Sequence, residues 1–214
     1  MDWHFVAQHL LCGYFPEMVA LGLYFIILRL AGKRQSVCRM FLSFTFCFYL
    51  IGVLTVTGIC IRASFSPRIV IVPFVDMIRG PVDTALNVLL FIPMGFFLAL
   101  LYERFDSIGK VAAAGFLLSL SVELVQMFGF GATDINDLIT NTLGSCLGYG
   151  VYTALGRIFP ESWIKQVRAE GVRCLWEPLL FWAGSLWIML SIQPVFFQAV
   201  FGAGMPGGEM QIWR

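Results

Sequence analysis

The feature that most constrains this sequence is a series of long apolar runs without a charged residue. These runs cover residues 40–61, 84–102, 138–156 and 178–208. A further run, 111–130, is interrupted only by Glu123. About 20 apolar residues in a helix cross a hydrocarbon core of about 30 Å, because each residue rises about 1.5 Å. The runs therefore predict helices that span a membrane.

The composition agrees with a membrane protein. Of the 214 residues, 59% are hydrophobic and 13% are charged, whereas about a quarter of the residues in a soluble domain are charged. This composition excludes a disordered chain, a secreted disulfide scaffold and an ordinary cytosolic enzyme. The 14 Lys and Arg residues nearly balance the 13 Asp and Glu residues, so no nucleic-acid partner is indicated. The predicted fold class is an all-α, polytopic integral membrane helical bundle.

Six transmembrane helices are expected. Pro16 and Glu17 suit the first turn of a helix, where Pro loses no hydrogen bond and an acid favours the helix dipole. The first span is therefore predicted to begin near Pro16, after an N-terminal interfacial segment formed by residues 1–15. The bundle, residues 16–159, is expected to hold spans near 16–31, 40–61, 84–102, 111–130 and 138–157.

The last part of the chain is predicted to hold a linker and a sixth span. Residues 160–177 are expected to form an amphipathic cytoplasmic linker. Within it, residues 165–177 are expected to form a helix, and the side chains predicted to face lipid are Ile164, Val167, Val172, Leu175 and Trp176. A simple solvated linker is the alternative. Residues 178–214 would then form the C-terminal transmembrane helix and a Gly-rich tail.

Basic residues indicate the orientation of the bundle, because cytoplasmic connections carry an excess of Lys and Arg. With the N-terminus outside, ten of the 14 basic residues fall on cytoplasmic connections. The basic residues left on the external side are Arg62, Arg68, Arg79 and Arg214. Both termini are therefore predicted to lie outside.

The fourth span carries an acid at a membrane depth where a charge is costly. Inserting an ionisable group there costs about 2.5 to 3.5 kcal/mol, so Glu123 requires a partner or a role. Ser119 lies four residues before Glu123 and Gln126 three residues after it, which places the three side chains on one helical face. This polar stripe indicates either hydrogen bonds that hold helices together or a polar pocket.

The start of the fifth span carries a second polar stripe. Asp134, Asp137, Asn141 and Ser145 follow one another at spacings of three, four and four residues. Asp134 and Asp137 suit capping of a helix N-terminus, but capping does not explain Asn141. Farther along the same span, Gly144 and Gly148 are predicted to let another helix approach closely.

The third span carries a third polar stripe. Asp83 and Asn87 lie one helical turn apart near its start, and Pro93 and Gly95 predict a kink in the middle. The carbonyl that Pro93 leaves free near Leu89 would line a cavity or accept a hydrogen bond from a neighbour.

The three stripes fall at the same predicted side of the membrane. The third and fifth spans begin there, and the fourth span ends there. We therefore expect a polar, net-acidic pocket in the outer leaflet, with Arg79 as a counter-ion. The predicted ligand-binding residues are Asp83, Asn87, Glu123, Gln126, Asp134, Asp137, Asn141 and Arg79.

Three blocks of these residues resemble the VanZ-like family. The blocks are Asp83-x3-Asn87 followed by residues 91–95, Glu123-x2-Gln126, and residues 134–137 followed by Asn141-Thr142-Leu143-Gly144. The family pattern also places an Arg between the Gln and the first Asp, but residues 127–133 contain none and Gly131 stands near that position. An anion-binding role there would fall to Arg79. The resemblance implies a multi-pass protein of the bacterial cell membrane that is linked to teicoplanin resistance.

Four kinds of function are compatible with this pattern, of which the fourth is a purely structural partner protein. The leading prediction is recognition of a membrane lipid or a lipid-linked envelope precursor, because amides and carboxylates bind peptide, sugar and amine groups. A membrane-embedded enzyme would use Glu123 as a general acid or base, with Asp134 and Asp137 as further catalytic candidates that hold a divalent cation. A lipid transporter would use the kink at Pro93 as a gate. The sequence leaves the oligomeric state open.

Overall fold

The described part of the chain is almost entirely helical, as predicted. The computed structural model describes residues 3–59, 69–70, 74, 80–127, 133–169 and 173–202. The helices are α1 (Trp3–Leu30), α2 (Val37–Val56), α3 (Pro81–Leu101), α4 (Ile108–Gln126), α5 (Ile135–Leu155), α6 (Glu161–Val167), α7 (Arg173–Trp187) and α8 (Gln193–Phe201). The remaining elements are a 3₁₀ turn (Glu103–Phe105), a π-helical segment (Ile188–Ile192) that joins α7 to α8, and the strands β1 (Ile69–Val70) and β2 (Thr133–Asp134). These elements confirm an all-α helical bundle.

Five of the described helical segments are long and apolar enough to cross a membrane. They are α1, α2, α3, α4 and the run Trp176–Phe201. Helix α5 has 21 residues and is also long enough, but it carries one of the polar stripes. Its opposite face is a stripe of aliphatic side chains that are 37–51% exposed, namely Ile135, Ile139, Leu143, Leu147 and Val151. An exposed apolar stripe and a buried polar stripe are the arrangement expected of a helix that faces lipid on one side.

Helices α3 and α5 run parallel and pack backbone against backbone. A Cβ atom on Gly144 would collide with the carbonyl oxygen of Val88, and one on Gly148 would collide with that of Ile92. From the other helix, a Cβ atom on Gly95 would collide with the carbonyl oxygen of Ser145. The prediction that Gly144 and Gly148 form a close-packing face is confirmed.

A neighbouring helix provides a hydrogen bond close to the proline in α3. Pro93 lies inside α3, where it cannot donate to the carbonyl four residues earlier. The hydroxyl of Tyr49 on α2 donates to the carbonyl of Leu90 at 2.7 Å, one residue from the position named by the sequence. The backbone near the proline is therefore contacted by protein.

The predicted start of the first helix near Pro16 is wrong. Helix α1 runs without a break from Trp3, and Pro16 lies inside it. Membrane helices tolerate internal prolines when neighbours cover the backbone. The N-terminal turns of α1 pack on α8, where the buried His9 ring stacks on Phe197 at 4.1 Å and is hydrogen-bonded to Gln193. Glu17 is not in a first turn but in mid-helix, where it is 3% exposed.

The prediction of one amphipathic helix before the last span is also wrong. Helix α6 ends at Val167, and α7 begins only at Arg173. Val167 is fully buried and does not face lipid. The chain after it pairs with the end of α3, where the Ala169 amide donates to the carbonyl of Leu101 at 2.7 Å. This pairing interrupts the helix because the Ala169 amide bonds to α3 instead of to the preceding helical turn.

A buried ion pair joins α2 to α7 at the same end of the bundle. Arg39 and Glu177 are 1% and 0% exposed, and Arg39 Nη2 donates to Glu177 Oε1 at 2.5 Å. Arg39 Nη1 also donates to the carbonyl oxygens of Leu101 and Val167, at 3.2 and 2.5 Å. The guanidinium lies 5.8 Å from the centre of the Tyr102 ring. One side chain therefore holds together α2, α3, α6 and α7.

The glycine face predicts which small substitutions destabilise the bundle. Gly148→Ala places a Cβ atom against the carbonyl of Ile92 and 2.8 Å from the amide nitrogen of Phe96, so α3 must move away. Forced overpacking of this kind costs about 1–3 kcal/mol. We expect a lower thermal unfolding midpoint for the purified protein in detergent. Gly150→Ala is the matched control, because its Cβ meets no atom within 4 Å. Equal midpoints for the two variants would contradict the packing.

The buried ion pair predicts a coupling between two distant residues. Removing one partner leaves the other charge buried without compensation, which costs about 3–5 kcal/mol. We expect Arg39→Met and Glu177→Gln each to lower the unfolding midpoint strongly, and the double variant to lose less than the sum of the two. The exposed pair Lys165–Glu161 provides the control, since Glu161→Gln should change little. Additive losses in the double variant would exclude the coupling.

Candidate functional site

The connection between α2 and α3 contacts the N-terminus of α5. Strand β1 pairs in parallel with β2, with Ile69 opposite Thr133 and Val70 opposite Asp134. Phe74, which has a left-handed φ of 69°, donates its backbone amide to Asn136 Oδ1 at 2.8 Å. The backbone at the entrance of α5 is thus bonded to protein, as irregular backbone near a membrane requires.

Glu123 on α4 contacts the first residues of α5. Its carboxylate is 1% exposed, and Oε2 accepts a hydrogen bond of 2.9 Å from the backbone amide of Asp134. Asp134 caps α5, since its Oδ1 accepts from both the amide and the side-chain Nδ2 of Asn136 at 2.8 Å. The fourth span and the capping residues of α5 therefore form one hydrogen-bonded unit.

Two amide side chains extend this unit to the other helices. Asn87 Nδ2 on α3 donates to Asp137 Oδ1 on α5 at 2.6 Å. One turn deeper, Asn141 Nδ2 donates to Ser119 Oγ on α4 at 2.9 Å. The structure thus brings the Asn87, Glu123, Asp134, Asp137 and Asn141 positions together where α3, α4 and α5 meet.

Two of the predicted residues are not among the side chains whose hydrogen bonds, in the described part of the chain, join this unit. Gln126 donates through Nε2 to the carbonyl of Thr57 at 2.9 Å, so it ties α4 to the end of α2. Asp83 is exposed in the first turn of α3, four residues before Asn87. Arg79, the predicted counter-ion, lies outside the described residues.

Asn136 is a member of the unit that the sequence did not indicate as a binding residue. It is 4% exposed and connects Asp134 to the backbone of Phe74. In the sequence, Asn136 lies between Asp134 and Asp137, which could have indicated a polar site. It does not follow the helical spacing of the polar stripe, however, so that pattern does not include it. Its partner, the backbone amide of Phe74, lies far away in the sequence, so local spacing does not reveal the contact.

The unit keeps hydrogen-bonding capacity that the described protein does not use. Asn141 Oδ1 is buried and has no hydrogen-bond partner among the described residues. A buried acceptor without a partner costs about 1–3 kcal/mol. Neither Asp134 nor Asp137 forms an ion pair within the described ranges. The carboxylates of Asp134 and Asp137, which are partly exposed, can therefore accept hydrogen bonds from N–H or O–H groups and attract a positive group.

The side chains of the site offer few ligands for a bound metal ion. Within the described part of the chain, no group of three or more His, Cys, Asp or Glu side chains is placed to hold a metal. Asp134 and Asp137 each already accept a hydrogen bond through Oδ1. Hard divalent cations take six or more oxygen ligands, so a cation between these acids would need water or ligand oxygens in addition.

Comparison with known proteins places the sequence in a family. The sequence matches the VanZ/LLP1 family over residues 18–157, a range that contains all three helices of the site. Over 67 residues it is 43% identical to Protein VanZ of Enterococcus faecium. That alignment covers 31% of this chain and 41% of the relative, so the chain spans less than half of the relative's length. No solved structure matches the chain.

The bond between Glu123 and Asp134 predicts how two substitutions differ. Glu123→Gln keeps an oxygen that accepts from the Asp134 amide, whereas Glu123→Leu leaves that donor unpaired at a cost of about 1–3 kcal/mol. We expect the Gln variant to unfold near the wild-type temperature in detergent and the Leu variant clearly below it. If both variants unfold at the same temperature, Glu123 does not hold the start of α5.

Proposed function

Because the chain belongs to the VanZ/LLP1 family, we propose that it is a bacterial membrane protein of teicoplanin resistance that binds an envelope lipid or a lipid-linked cell-wall precursor. Binding would reduce the access of the antibiotic to its target. In the predicted orientation, with both termini outside, the site lies in the outer leaflet. The observation that carries the proposal is the hydrogen-bonded unit of acids and amides at the junction of α3, α4 and α5, called the acid–amide unit below. Its members are Asn87, Glu123, Asp134, Asn136, Asp137 and Asn141.

The chemistry of this unit fits a ligand that carries N–H and O–H donors. The partly exposed carboxylates of Asp134 and Asp137 are acceptors, and the precursors of a cell wall display peptide amides, sugar hydroxyls and amines. The apolar stripe of α5 faces outward beside the unit, so a lipid tail can stay in the membrane while its polar group reaches the acids.

A membrane-embedded enzyme that acts on a lipid is the second candidate. It is favoured by the burial of Glu123 directly beside the N-terminus of α5, where a carboxyl group in a dry site can exchange a proton with a substrate. Turnover of a lipid by the purified protein, lost on addition of a chelator or in Glu123→Gln, would select this candidate. A transporter that gates at Pro93 receives less support, because Gly95 beside it packs directly on the backbone of Ser145.

The proposed function predicts that resistance depends on the charges of the site. We expect Glu123→Gln and Asp137→Asn, expressed in a teicoplanin-sensitive host, each to lower the inhibitory concentration of teicoplanin toward that of the empty host. Both replacements keep the size of the side chain and a hydrogen-bond acceptor, so loss of charge is the main change. The measurement is the inhibitory concentration at equal protein abundance in the membrane.

Glu103→Gln is the matched control for this experiment. Glu103 is an exposed acid in the 3₁₀ turn at the opposite end of α3, and the same replacement there should leave resistance unchanged. Full resistance of both site variants at normal abundance would reject the proposed function.

A further inference from the structure

A groove between α1 and α2 lies outside the acid–amide unit. It has a volume of about 300 Å³. Its wall is formed by Gly22, Phe25 and Ile26 on α1 and Met40 on α2, and its rim by Arg29, Arg34 and Gln35. The groove therefore has an apolar body and a basic rim.

The basic residues at this rim, and Lys33 beside them in the chain, are available to a ligand. Arg29, Lys33 and Arg34 are exposed and form no ion pair with any residue in the described ranges. The sequence also contains no Asp or Glu between residues 18 and 75. Arg39 differs from them, because it is buried in its pair with Glu177. The hairpin between α1 and α2 thus concentrates positive charge without a nearby acid along the chain.

The groove has an apolar wall along which part of an acyl chain can lie. Gly22 lies seven residues before Arg29, so the apolar wall extends about 10 Å along the helix from the basic rim. At Gly22 the groove is open, because a Cβ atom there would meet nothing within 4 Å. Phe25 is 5% exposed, so it forms a buried side of the wall. A phosphate at the rim therefore places a hydrocarbon chain against the apolar wall.

We propose that this groove binds an anionic phospholipid of the membrane. The phosphodiester accepts hydrogen bonds from Arg29 and Arg34, and one acyl chain lies along Gly22, Phe25 and Ile26. A guanidinium pairs well with phosphate oxygens, and the unpaired positive charge of the hairpin selects an anionic headgroup over a zwitterionic one. The chain would bind this lipid independently of the ligand at the α3–α5 junction.

The first experiment measures the headgroup preference. Phosphatidylglycerol is titrated into the detergent-solubilised full chain, bound lipid is counted by native mass spectrometry, and phosphatidylcholine is the reference. We expect tighter binding of phosphatidylglycerol and a weakening of at least about tenfold in Arg29→Gln/Arg34→Gln. The control Arg104→Gln/Arg157→Gln removes the same charge from exposed positions at the same end of the bundle and should retain the affinity. Equal binding of the two lipids, or an unchanged affinity of the Arg29/Arg34 variant, would overturn the proposal.

The second experiment tests the acyl-chain wall. Gly22→Leu places its Cβ atom in open space and its side chain in the groove, so the protein should fold but bind phosphatidylglycerol at least about fivefold more weakly. Gly150→Leu adds the same side chain at another open helical position and should have no effect. Deacylated glycerophosphoglycerol should fail to displace the lipid at equal concentration. If Gly22→Leu binds the lipid as the wild type does, or if the deacylated headgroup displaces it, only the surface charge attracts the lipid. Either result would reject the lipid groove.

Discussion

The close approach of α3 and α5 is the constraint on which the rest of the site depends. In a membrane, apolar side chains gain little by leaving lipid for another helix, so packing and hydrogen bonds must hold helices together. Gly95, Gly144 and Gly148 remove the side chains that would keep the two backbones apart. Because the helices touch, Asn87 reaches Asp137 directly. If α3 and α5 lay farther apart, Asn87 and Asp137 would lose this hydrogen bond. Lipid offers no replacement partner, so the loss would destabilise the bundle.

Glu177 and the acids of the α3–α5 junction show two different ways to place a carboxylate in an apolar surrounding. Glu177 is neutralised by Arg39, which also bonds to two backbone carbonyls, and this pair stabilises the end of the bundle where α6 and α7 meet. The acids at the other end are bonded by amides and by backbone N–H groups instead. Neutral donors hold a carboxylate in place without removing its charge, so these acids can still interact with a ligand. This difference separates a structural polar cluster from a candidate binding site.

Much of the fold and of the site was predictable from local patterns. The uncharged runs predicted the membrane helices, and the spacing of Glu123, Asp137 and Asn141 placed them on inward faces that the structure brings together. The errors had two causes. At Pro16, a local preference for a helix start was overridden because α8 packs on the preceding turns and covers His9. Before the last span, the backbone of Ala169 pairs with α3, a contact between distant residues that no periodicity reveals. Gln126 lies at the predicted helical position but bonds to α2, because spacing gives a direction and not a partner.

The sequence alone determined that this chain crosses a membrane several times as helices, because long uncharged runs have no other stable form in lipid. It also determined that acids and amides gather at one end of three helices, because direction alternates from one span to the next. Only the tertiary structure decided which amide bonds to which acid, that Asn136 joins the site through the loop before α3, and that Arg39 is buried in an ion pair while Arg29 and Arg34 form no ion pair with the described residues. These outcomes depend on contacts between residues far apart in the chain, and such contacts are fixed by packing rather than by local spacing.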